Sequence, residues 1–164
     1  MASKLNSMRI LEQHDIPYEV LEYPSDIHDA EEVAEILGVP YFVVYKTLVV
    51  QPVDRPDIKK PYLVMIPSEA HLDLKRFAVA TGVKKVKMAS QRDAEQLTGL
   101  KVGGISALAL TQKQWPVFMD RSATELQHVV ISAGQRGLQL RVPMVPLVNL
   151  LRVRVADVAV EKED

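Results

Sequence analysis

The chain has no cysteine. That excludes disulfides, thiolate metal sites, iron–sulfur clusters and a cysteine nucleophile, and it suits a reducing compartment such as the cytoplasm. Aromatic residues are only 5% of the 164, and no apolar run approaches the ~18 residues that a membrane helix needs. The N-terminal stretch MASKLNSMRILEQHDIP has no apolar core of a signal peptide. The four histidines, His14, His28, His71 and His128, make no HxH, HExxH or two-histidine–carboxylate spacing. No metal or other cofactor is therefore expected. A GxSxG elbow and a GxxxxGK[ST] loop are also missing.

What remains is ordinary globular material: 48% hydrophobic and 25% charged residues. The length suits one domain, taken as residues 1–164. The net charge of −1 hides an asymmetry. Residues 1–45 carry a net −7, residues 46–154 a net +9 and the last ten a net −3. A polyanion would prefer the middle of the chain, where Lys84, Lys85 and Lys87 are the densest cluster. Two solvated faces of opposite sign would give the same numbers.

The pattern predicts helices and short strands without a regular βα alternation. Residues 4–14 are helical in spacing, and 18–23 alternate as a strand. Asp29 can cap a helix that runs to Leu37 and stops at Gly38. Residues 42–50, FVVYKTLVV, are the strongest strand signal, with a proline-rich loop and a return strand Tyr62–Pro67 after it. Asp73 and Ser90 can cap helices that stop at Gly82 and Gly99. Beyond them, strands are expected at Val117–Met119, Val129–Ser132, Leu138–Val142 and Arg152–Val158. Short helical turns are expected at Ser122–Leu126 and Leu147–Leu151. These elements point to an α+β domain with a mixed, mainly antiparallel sheet.

Three segments could carry chemistry. Lys46 sits in a strand whose neighbours on both parities are apolar, which is costly for an ammonium unless it finds an anion or reaches water. Gly103-Gly104-Ile105-Ser106 can bring backbone N–H groups to an oxyanion, or can be a plain turn. Ser132-Ala-Gly134-Gln-Arg136-Gly137 follows a strand and can bind sugar or phosphate, or can be a hairpin turn with a solvated arginine.

Taken in order, YKTLVV with Lys46, GGIS at 103–106 and ISAGQRGLQL at 131–140 resemble the YbaK / prolyl-tRNA-synthetase-associated editing domains, the free-standing aminoacyl-tRNA deacylases. The LGVP turn, the YLVMIP strand and the D-x-S-A segment at Asp120 match the same frame, so the resemblance spans roughly residues 4–158. It implies a β-barrel-like sheet flanked by helices, and hydrolysis of the ester joining a wrong amino acid to tRNA. The expected tRNA is of the tRNA-Pro type, charged with a small amino acid such as Cys or Ala. It implies catalytic roles for Lys46, Gly103, Gly104 and Ser106. Substrate-binding roles fall on Ile105, Ser132, Gly134, Arg136 and Gly137. Aminoacyl-tRNA is the implied partner, with an aminoacyl-tRNA synthetase as a further one. One departure stands out: the family usually has proline after the loop serine, and here it is Ala107. The alternative is a non-catalytic module of the same fold that binds RNA ends or a nucleotide.

Overall fold

A computed structural model describes residues 4–27 and 29–161. The helices are α1 (Asn6–Gln13), α2 (Ala30–Leu37), α3 (Leu74–Thr81), α4 (Gln91–Thr98) and α5 (Met144–Leu151). The strands are β1 (Glu19–Glu22), β2 (Tyr45–Pro52), β3 (Tyr62–Pro67), β4 (Ala70–Leu72), β5 (Val86–Met88) and β6 (Val117–Asp120). They continue with β7 (His128–Ser132), β8 (Leu138–Pro143), β9 (Arg154–Ala156) and β10 (Ala159–Glu161).

Three helices begin and end as the capping residues dictate. Asp29, Asp73 and Ser90 each accept a backbone N–H of the first turn, from Glu31, Arg76 and Asp93. Gly38, Gly82 and Gly99 close them in the left-handed region, which a side chain would make costly.

The strands form a five-stranded sheet in the order β5-β2-β3-β6-β9, a three-stranded sheet β1-β8-β7 and a β10-β4 pair. Pairing is antiparallel except for β3–β6 and β6–β9. The mixed, mainly antiparallel architecture flanked by helices is thus as expected, but the sheets do not close into a barrel. A single parallel bridge, Val44 to Val130, joins the two larger sheets among the described residues. The reason lies in the chain before Val44. Phe42 and Val43, expected to begin the strand, belong instead to a 3-10 turn over Tyr41–Val43, so the pairing cannot extend backwards. Likewise, the strand expected over Arg152–Val158 is shortened to β9, and the chain then turns into β10, which joins a different sheet.

All six residues of β3 are buried because both faces of this central strand are covered. Leu63 and Met65 join a cluster with Leu11, Met119, Ile131 and Leu140. Tyr62, Val64 and Ile66 join a second with Phe77, Val86 and Phe118. In that second cluster Tyr62, Phe77 and Phe118 pack edge to face, with ring centroids 5.1 to 6.0 Å apart. Among the described residues no helix is long and apolar enough to cross a membrane.

Candidate active site

The fold leaves a gap along one edge of β2. The other edge pairs with β3 throughout, from Tyr45 opposite Pro67 to Val50 opposite Tyr62. On the gapped edge, Val44 meets Val130 and residues Val50–Pro52 meet β5. Between these contacts lies a cavity of about 320 Å³. The consecutive residues Tyr45, Lys46, Thr47 and Leu48 line it, as a strand edge facing a cavity should.

Lys46 is half-buried here and its Nζ donates to the Ser68 carbonyl at 3.2 Å. Two residues beyond the bridging pair on each strand, Lys46 and Ser132 both reach the cavity. Ser132 Oγ accepts the Gly134 N–H at 3.2 Å, which leaves its own proton to donate. Gly103 and Ile105 form another wall. The N–H of Gly104 is committed to the Lys101 carbonyl at 2.7 Å. Among the described residues, the N–H groups of Gly103 and Ile105 have no such partner.

The other predicted residues stand behind this wall. Gly104 faces the 132–137 turn, where an added Cβ would come within 2.9 Å of the Arg136 nitrogen; only glycine allows this approach. Arg136 donates from Nε to the Val102 carbonyl at 2.7 Å and so ties the two loops together. Gly134 packs on Ala109 and Ser106, and Gly137 packs on Tyr23 and Ser25. Ser106 is 1% exposed, and its Oγ accepts the Ala109 N–H at 3.4 Å, so it starts a 3-10 turn, Leu108–Lys113, rather than lining the cavity. Ala107 follows at φ −61°, the value a proline would hold.

Gln139 also lines the cavity, and the sequence did not mark it. Gln139 lies directly across from Ser132 in the β7–β8 hairpin and is 6% exposed. Its Nε2 lies 3.5 Å from the Tyr23 hydroxyl, while its Oε1 is buried with no partner among the described residues. Between two leucines it reads as an outward polar residue. The hairpin register would have revealed it, because a turn over 134–137 sets 133 opposite 138 and hence 132 opposite 139.

Behind β2, the Tyr45 hydroxyl shares a 2.7 Å hydrogen bond with Ser122, whose Oγ donates to Asp120 at 2.6 Å. Burial pushes the Tyr45 phenol up to about 12, so it stays protonated. Burial also works against the Asp120 charge, but hydrogen bonds from Ser122, Val158 and Ala159 outweigh it and hold the carboxyl below its ordinary value. Among the described residues no three His, Asp or Glu side chains gather as metal ligands; His28 lies outside those residues.

The family model for the aminoacyl-tRNA editing domain matches residues 24–150. The chain belongs to this family. The editing domain is 35% identical over 161 residues, 97% of this chain and 95% of the relative, to EbsC of Enterococcus faecalis (strain ATCC 700802 / V583), named as a candidate Cys-tRNA(Pro)/Cys-tRNA(Cys) deacylase. It is 27% identical over 135 residues to a proline–tRNA ligase of Sulfurihydrogenibium sp. (strain YO3AOP1), covering 82% of this chain and 22% of that enzyme. Two solved structures share the fold. One is a hypothetical protein, at TM-score 0.84 and 24% identity over 94% of this chain and 99% of that one. The other is a candidate trans-editing enzyme for prolyl-tRNA synthetase, at TM-score 0.77 and 22% identity over 99% and 100%.

The editing-domain cavity offers an ammonium, the hydroxyls of Ser132 and Thr47, an amide oxygen and two loop N–H groups, and no histidine lines it among the described residues. Such a set can bind, orient and stabilise developing negative charge.

Proposed function

We propose that the protein is a free-standing deacylase, acting in trans on tRNA of the tRNA-Pro type that carries a wrong small amino acid, Cys or Ala. The observation that carries this reading is the convergence of Lys46, Ser132 and the Gly103–Ile105 loop on one open seam beside a free strand edge. The ester of an aminoacyl-tRNA is already activated, so a bound water or a group of the substrate itself can attack it. Lys46 would hold a phosphate or the ester carbonyl as a compact point charge. The N–H groups of Gly103 and Ile105 would face the developing oxyanion, donors that cost no reorganisation during reaction. Ser132 would position the terminal adenosine or the aminoacyl group. Gly104, Ser106, Gly134, Arg136 and Gly137 would act through the two loops whose shape they fix. The protein would work in the cytoplasm, alone or docked to a synthetase, and the similarity to part of a proline–tRNA ligase supports that partner.

The test offers the purified protein tRNAs charged with Ala, Cys, Ser, Thr and Pro. Wild type should clear Cys or Ala faster than Pro. Lys46→Ala should lose at least ~10²-fold in rate, the scale of one deleted preorganised contact. Lys46→Arg should be impaired too, because a planar fork does not replace a point charge. Retained turnover in Lys46→Ala, with an unchanged urea midpoint, would move the assignment to a binding module without catalysis.

A further inference from the structure

We propose that a second site, a basic groove at the far end of β2 from the cavity, binds the phosphodiester backbone of the substrate tRNA through Lys75, Lys84 and Lys85. The nature of the polyanion rests on the deacylase reading above.

The groove measures about 640 Å³ and lies between α3, the α3–β5 connection and the loop after β2. Lys75, Lys84 and Lys85 line it and are exposed. Among the described residues none of the three forms an ion pair, whereas Lys4, Arg55, Arg76 and Arg141 all do. Arg55, also at the groove, is held by Asp57 at 2.8 Å. Among the described residues, the only carboxylate lining the groove is Asp54. Three like charges are thus gathered on one concave surface with little to neutralise them, an arrangement that a polyanion relieves.

The frame that holds them is rigid. Phe77 and Ala78 anchor α3 in the second core cluster, and the Val53 N–H donates to the Lys85 carbonyl at 2.9 Å. Side chains alternate along β2, so Lys46, Leu48 and Val50 share a face. Leu48 lines the cavity and packs on the cluster to which Val50 and the groove residues Ala78 and Val86 belong. Cavity edge and groove are therefore linked along β2 through this one cluster. From Lys46 to Pro52 is roughly 20 Å at ~3.3 Å per residue. Four stacked nucleotides span about 14 Å at ~3.4 Å each. An unpaired 3′ end seated in the cavity would bring the following phosphates onto the lysines. Lys87, expected with Lys84 and Lys85 to meet RNA, stands apart from the residues that line the groove. It sits opposite Gln51 and does not line the groove.

That separation supplies the control. The experiment compares wild type, the triple variant Lys75→Ala/Lys84→Ala/Lys85→Ala and Lys87→Ala. It measures binding of uncharged tRNA from 50 to about 300 mM salt, a range over which phosphate contacts weaken strongly. Hydrolysis of aminoacyl-tRNA and of a short 3′-aminoacyl-adenosine is followed in parallel. The triple variant should lose at least ~10-fold in tRNA affinity, and its log–log salt slope should become shallower by about 2–3, at ~0.7–0.9 per phosphate. KM for aminoacyl-tRNA should rise while hydrolysis of the short substrate stays as in wild type. Lys87→Ala should keep most of the affinity. Unchanged affinity and slope in the triple variant would overturn the groove, as would an equal loss in Lys87→Ala. So would binding of the wild type to anionic phosphatidylserine vesicles through these lysines with tRNA binding unaffected. Failure of the deacylase reading looks different: wild type then hydrolyses neither substrate, and the tRNA-binding comparison still decides the groove.

Discussion

At Gln139, on the wall of the cavity, burial and chemistry disagree. A buried amide oxygen without a partner costs about 1–3 kcal/mol, and protein interiors rarely keep one. At the wall of a cavity that cost is returned when a donor arrives. In an aminoacyl-adenosine the donors are the α-ammonium and the ribose hydroxyl. Gln139→Met keeps the volume and removes the orphaned acceptor. Its urea midpoint should equal or exceed that of wild type, while deacylation should fall about 10-fold, the equivalent of one hydrogen bond of ~1.4 kcal/mol. Full activity in a stabilised Gln139→Met would remove the residue from substrate recognition. Lys46 was legible in the sequence because a cation interrupts an apolar strand. Gln139 was not, because a glutamine between leucines looks like ordinary alternation, and only the register across the hairpin reveals what it faces.

At the scale of elements, Asp120 joins three pieces of chain. Its Oδ2 accepts from the N–H and Oγ of Ser122, and its Oδ1 accepts from the N–H groups of Val158 and Ala159. The carboxylate thus holds the turn after β6, the approach to β10 and, through Ser122, the Tyr45 end of β2. Its folded-state pKa lies below the unfolded value, so it contributes stability that is complete above ~3.9 and lost as pH falls through the folded value. Asp120→Asn should cost roughly 1.5–3 kcal/mol at pH 7, where hydrogen bonds to a charged acceptor are intact. The gap in urea midpoint between wild type and Asp120→Asn should close as pH drops below about 4. A gap that stays constant down to pH 2 would mean that the charge contributes nothing. Elements with their own start and stop chemistry, α2, α3 and α4, were readable from single residues. The three-residue strands β4 and β5 were not. Each is too short to show a period, and each is a strand only because β10 or β2 lies beside it. Ser106 was readable as part of a glycine loop, but its burial under the Leu108–Lys113 turn depends on packing that no local pattern encodes.

At the scale of the whole molecule, charge and cavity share one logic. The acidic first 45 residues supply α2, and Asp29 and Ala30 form the cavity rim on that side. The basic middle supplies the strand with Lys46 and the groove beyond it. A polyanion is thus repelled from one flank and drawn to the other, which sets the direction in which a tRNA end enters. The cavity also lies where the two larger sheets meet through the single Val44–Val130 bridge, so a ligand there ties the sheets together. A non-hydrolysable alanyl or cysteinyl amide of 3′-amino-3′-deoxyadenosine should therefore stabilise the fold as a whole. At 100 times its Kd the gain is about 2.7 kcal/mol, which for a chain of this size raises Tm by roughly 5–10 °C. Lys46→Ala should lose most of that shift at the same concentration, while the groove variant Lys75→Ala/Lys84→Ala/Lys85→Ala should keep it, since the analogue carries no phosphate. A thermal shift equal in wild type and Lys46→Ala would exclude the carbonyl contact and leave a phosphate as the lysine's partner. A shift lost in the groove variant would join the two sites into one and undo the division of labour between them.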